Sequence, residues 1–218
     1  MIAVGVIDVG SPRSGKLGWA IVAPNQTIVT GGDLDAFIER MGEVGRAWPM
    51  AIGFEAPLFI PTRQRALDVL SGRKGEGSRP WSAGAGAAVT TASLAVTTYA
   101  LAGLRRLLPD ARASTDWTAP VAQVGDCLFF EAFVTGASKD AAQTRTETAH
   151  TYDALIAAEA AQELLTGSAA YRSAIEETEV FSLLGAALLR TGWTSDLGVL
   201  SAPCLVVRPG FDHFGAGV

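Results

Sequence analysis

Residues 3–9 form a short apolar run, AVGVIDV, that carries a single acid at its end, Asp8. Four to eight apolar residues bounded by turn signals read as a strand buried on both faces. Side chains alternate along a strand, so Val4, Val6 and Asp8 share one side. The run 50–56 repeats the arrangement, with Glu55 as its last polar position before Pro57. Two apolar strands thus each end on a carboxylate.

The rest of the pattern supplies the layers. A turn-rich loop at 10–15 and a Pro24-Asn25 turn separate runs at 17–22 and 27–30, which predicts a three-strand meander. Asp33 is positioned to cap a helix over 34–46. A helix is expected over 62–71, followed by a mobile Gly-, Arg- and Ser-rich loop at 72–80. Residues 81–104 contain no charged side chain. That length spans a bilayer, but Ala, Gly, Thr and Ser dominate it, so a buried Ala-rich helix is the expectation and no membrane span. Residues 127–134 read as a strand with three Phe. Thr144 and Glu147 form a capping-box pattern before a helix that runs to about 165. Residues 182–190 read as a helix and 204–207 as a late strand. Hairpins first and strand–helix alternation afterwards predict an α/β domain, a mixed sheet with helices on its faces, spanning 1–218.

Composition excludes several classes. Hydrophobic residues are 49% of the 218 and charged residues 18%, so the chain has a core and is not disordered. Lys and Arg number 17 against 22 Asp and Glu, a net charge of -5, which argues against a broad duplex-coating surface. Cys127 and Cys204 give neither a metal knuckle nor a disulfide framework. Buried thiols in a reducing, cytoplasmic setting are the expectation. The first residues lack the basic region of a signal peptide.

Two further acids lie on apolar faces. Glu131 shares a strand face with Phe129 and Phe133. Asp153 shares a helical stripe with Ile156, Ala157, Ala160 and Leu164, one turn from His150. Each alone has a plain structural explanation: a turn residue, a helix-dipole acid, an edge-strand carboxylate. Together they need a counter-charge, because an unpaired buried carboxylate costs several kcal/mol. These segments offer no obvious Lys or Arg. A divalent cation is the alternative, and oxygen-only ligands favour Mg2+ or Mn2+ over zinc.

These motifs resemble the RNase H-like superfamily. VGVIDVG and GKLGWAIV look like its first hairpin. IGFEAPL is similar to the second-acid strand of RuvC-type Holliday-junction resolvases, and HTYDALIAA resembles their last helix. With an FFEAF strand between, the layout looks most like the uncharacterised predicted RNase H-like nucleases. The resemblance covers roughly 1–60 and 125–165. It implies a five-stranded mixed sheet in the order 3-2-1-4-5, with 57–125 as a helical and loop insertion. It implies Asp8, Glu55 and Asp153 as ligands of Mg2+ or Mn2+, with His150 and Glu131 completing the catalytic set. The implied activity is metal-dependent phosphodiester hydrolysis of DNA or RNA, with two cations about 4 Å apart.

Substrate grip is expected from the insertion. Arg63, Arg65, Arg73, Lys74 and Arg79 fall close together and Trp81 adds a stacking surface. Two other classes remain. An Asp-x-Gly first strand also fits actin- or sugar-kinase-like phosphotransferases and ATPases, although no second repeated half is visible. A non-catalytic RNase H-like scaffold that binds a partner is the third.

Overall fold

The computed structural model describes residues 1–77, 80–134, 148–167 and 170–215. Its strands are β1 (Ala3–Asp8), β2 (Gly18–Val22), β3 (Ile28–Gly31), β4 (Met50–Glu55), β5 (Phe59–Pro61), β6 (Arg112–Ser114), β7 (Asp126–Ala132), β8 (Val180–Ser182) and β9 (Val206–Val207). The α-helices are α1 (Leu34–Gly45), α2 (Gly84–Leu107), α3 (Ala149–Thr166) and α4 (Leu183–Arg190).

Seven strands form one mixed sheet in the order β3-β2-β1-β4-β7-β6, with β9 also pairing β7. The β1–β3 meander is antiparallel, whereas β1, β4, β7, β6 and β9 run parallel. β6 pairs the start of β7 and β9 pairs its end. The expected α/β class and mixed sheet are therefore present, but the sheet exceeds five strands and its order differs from the expected one. β5 and β8 form a separate two-stranded ribbon.

Alternation along the strands divides the core in two. Ile7, Ile52, Phe54, Cys127 and Phe129 face the side that packs against α1, α2 and α4. Val4, Val6, Ala51, Leu128 and Phe130 face α3, which meets them with Ala154, Ala157, Ala158 and Ala161. Small side chains on that helix let its backbone lie close to the sheet. Gly18 sharpens the approach: a β-carbon there would sit 2.4 Å from the His150 carbonyl carbon. Only glycine leaves room for the N-terminal end of α3.

Local chemistry sets the helix ends. The Asp33 carboxylate accepts from the Ala36 N–H at 2.8 Å, as the capping pattern predicts. Thr148 caps α3 and Ser182 caps α4. The expected Thr144/Glu147 capping box lies outside the described residues. α2 is long and apolar enough to cross a membrane, yet 39% of its most apolar window is buried inside the protein. One stripe, including Val96, Ala100, Leu101 and Leu104, packs on the core, while Leu94 and Tyr99 face outward. The expectation of a helix buried all round is corrected accordingly.

The segment after β5 departs furthest from expectation. Instead of a helix over 62–71 there is one 3-10 turn, Ala66–Asp68. Leu67 and Leu70 are exposed there, with no apolar surface to hold a longer helix. Arg63 instead ties the segment down, donating to the Ser71 hydroxyl and the Gly72 carbonyl. The loop expected to be mobile contains buried Arg73 and Glu76.

Candidate metal centre

β1 and β4 are parallel and in register, with Asp8 opposite Glu55. In such a pair facing residues share a side, so both carboxylates point toward α3. Asp153 lies in the second turn of α3 and is buried at 3% exposure. One carboxylate oxygen from each of Asp8, Glu55 and Asp153 lies within 4.8 Å of the others. That is close enough for three oxygens to share one cation at the 2.0–2.6 Å bonds typical of Mg2+ or Ca2+. The three predicted ligands thus converge. The donor set is oxygen only, which suits a hard cation.

His150 joins them. Its Nδ1 is 2.5 Å from Asp8 Oδ2, and the ring remains partly exposed. The contact spans 142 residues of sequence and depends on the close approach of α3 at Gly18.

Glu131 does not join the cluster, although sequence placed it in the catalytic set. It pairs in register with Phe54, so it points to the opposite face from Glu55. There it is buried at 1% exposure and bound to Arg73. Arg73 Nη1 and Nη2 each donate to a Glu131 oxygen at 2.7 Å. The Leu58 N–H adds a third bond at 2.9 Å. Arg73 also donates through Nε to Glu76 at 3.0 Å and lies over the Phe59 ring. Burial opposes the guanidinium charge, but Glu131 and Glu76 outweigh it, and the Arg73 pKa is raised above its ordinary value. The counter-charge missing from the strand segments therefore comes from the insertion.

This takes Arg73 out of the set expected to grip phosphate, because its side chain has no exposed surface. Arg63 is also committed, with two 2.9 Å bonds to Glu177. The Arg63 bonds hold the Glu177 carboxyl below its usual range. Arg65 and Lys74 remain exposed, with loose partners at 3.7 Å and 3.9 Å, Asp68 and Glu176. The Trp81 indole N–H donates to the Ser71 carbonyl. Arg79 lies outside the described residues.

A cleft of about 110 Å³ opens beside Asp8 and Glu55. It crosses the strand ends, so Glu131 and Glu76 border it from the other face, and the first turn of α2 forms its far wall. Ligands of open α/β sheets commonly bind outside the carboxyl ends of parallel strands, and this cleft lies there. Comparison with protein-family models, curated proteins and solved structures returns no match.

Proposed function

We propose that this chain is a divalent-metal-dependent phosphodiesterase acting on nucleic acid. The observation that carries the reading is the convergence of Asp8, Glu55 and Asp153, three carboxylates from three elements, within 4.8 Å. The finer fold reading, RNase H-like, draws support from the path β3-β2-β1-β4-β7 within the larger sheet. Along that path the first three strands are antiparallel and the next two join in parallel, which makes a mixed sheet of the kind the resemblance implies.

Asp8, Glu55 and Asp153 would hold Mg2+ or Mn2+. A cation there supplies Lewis-acid stabilisation of phosphoryl charge and lowers the pKa of water. The chain's own residues set position and proton traffic. With Nδ1 engaged on Asp8 Oδ2, the His150 ring is fixed and its Nε2 is left to accept a proton from an attacking water. The Arg73–Glu131–Glu76 group acts through structure. By holding the Leu58 N–H it fixes the chain three residues beyond Glu55. Among the described residues, exposed Arg65 and Lys74 are the insertion's remaining basic candidates for phosphate contact.

The test combines Mn2+ titration calorimetry with cleavage of branched DNA, single-stranded DNA and RNA. Saturable Mn2+ binding that is lost in Asp153→Asn, with Mn2+-dependent cleavage of at least one substrate, is the expected result. Arg65→Gln and Lys74→Gln should each flatten the log-log salt dependence of binding by about 0.7–0.9. Hydrolysis of ATP with no nucleic acid bound or cut at low salt would move the protein to the phosphotransfer class. Mn2+ binding without turnover of any of these would leave a binding scaffold.

A further inference from the structure

The cleft beside the carboxylates has a composition that the metal chemistry does not explain. Its polar side chains are all acids, yet Pro57, Ala85, Val89, Phe133 and Val134 make up much of its wall. A site that handled only phosphate would have no use for that apolar surface. The Phe133 ring is braced by Arg208, whose guanidinium lies 5.4 Å from the ring centroid. At about 110 Å³ the cleft is well below the roughly 300 Å³ floor of pockets that engulf a whole drug-sized ligand. It holds one ring-sized group of a ligand whose remainder stays outside.

We infer that this cleft receives a single unpaired nucleobase of the strand whose phosphate would lie at the cation held by Asp8, Glu55 and Asp153. The inference rests on the phosphodiesterase reading and names its substrate class. A base presents apolar faces and a polar edge. The walls match the faces. The first turn of α2, which begins at Gly84 without a side-chain cap, offers N–H donors to the edge. A paired base cannot enter, because its edge is occupied and its neighbours are stacked on it. The site therefore selects single-stranded or locally unpaired nucleic acid by shape.

The wall is open to a conservative test. Ala85 is exposed at the start of α2, so Ala85→Trp fills the cleft without entering the core. Ala88→Trp, exposed on the same helix but outside the cleft, is the control. Mn2+-dependent turnover of bis(4-nitrophenyl) phosphate, a diester without a base, reports the metal site. Binding of a short single strand, its abasic counterpart and its duplex, all in Ca2+, reports the cleft. The wild type should prefer the intact strand over the abasic one by roughly five- to hundredfold, the gain from one stacked base. Ala85→Trp should collapse that ratio to about one, and Ala88→Trp should preserve both the ratio and the diester turnover. Duplex binding should be equal in wild type and Ala85→Trp. A wild type with no preference, or an Ala85→Trp variant that keeps it, overturns the inference while diester turnover leaves the phosphodiesterase standing. Absence of diester turnover in the wild type removes that reading and the inference together.

Discussion

Gly18 lies against the peptide of His150, so that even a methyl group on Gly18 would meet the α3 backbone at 2.4 Å. The same glycine pairs with Asp8 across the β1–β2 ladder. One residue without a side chain thus brings the helix that carries His150 and Asp153 onto the strand that carries Asp8.

Gly18→Ala should displace the start of α3 and cost about 1–3 kcal/mol, the usual range for overpacking. Because the displaced end carries a ligand, affinity for Mn2+ should fall as well. Urea unfolding measures the first effect and calorimetry the second. A variant with wild-type Mn2+ affinity would show that α3 reaches the carboxylates by another route.

Asp153→Asn separates ligand from scaffold. In EDTA its melting temperature should match or exceed that of the wild type, since Asn keeps the shape of Asp and removes one of three closely spaced acids. With Mn2+ the wild type should gain about 2.7 kcal/mol at a hundredfold excess over Kd, and Asp153→Asn should gain almost none. Differential scanning calorimetry with and without Mn2+ reads both.

Arg73 should behave as a fold residue. Arg73→Met leaves Glu131 and Glu76 buried without their cation, at a cost of about 3–5 kcal/mol. Arg65→Gln, which alters an exposed side chain, should change stability by less than about 0.5 kcal/mol. Paired denaturation curves make the comparison. Equal small effects would argue that Arg73 spends its time outside the pocket formed by Glu131, Glu76 and Phe59.

Acid stability should carry a signature of Glu177. Its pKa is depressed from the ordinary 4.5, chiefly by the hydrogen bonds from Arg63. A depressed carboxylate stabilises the fold above its unfolded pKa and loses that contribution as pH falls through the folded value. Glu177→Gln should therefore cost about 1.5–3 kcal/mol at pH 7, and its curve should meet the wild-type curve once both are well below pH 4.5. Unfolding free energies measured between neutral pH and the acid limb follow the convergence.

The sequence carried the three converging carboxylates but not their surroundings. Asp8 and Glu55 were legible because each ends an apolar run, and Asp153 because it interrupts an apolar stripe at helical spacing. The misplacement of Glu131 has a specific cause. Alternation fixes which neighbours on its own strand share its face, but only the register with β4, Phe54 opposite Glu131, fixes that face relative to Glu55. A slip of one residue in that pairing would have put Glu131 beside the other acids. Arg73 was misread for a related reason. Its local context is glycine, lysine and serine, a loop composition, and its burial is decided by Glu131, 58 residues away. The late strand expected at 204–207 is present as the two-residue β9, whereas β6 completes the sheet through three residues, too few to leave a periodic pattern.

The carboxylates that converge at the centre sit at residues 8, 55 and 153. Among the described residues these carboxylates come from three separate stretches of chain, so a partly folded chain lacking a docked α3 would not bring them together around a cation. If α3 docks after the main folding barrier, binding energy arrives after it too. An interaction absent from the transition state slows unfolding and leaves the folding rate nearly untouched. Saturating Mn2+ should thus lower the unfolding arm of a stopped-flow chevron and leave the refolding arm in place. The metal would govern how long the native molecule lasts, not how fast it forms.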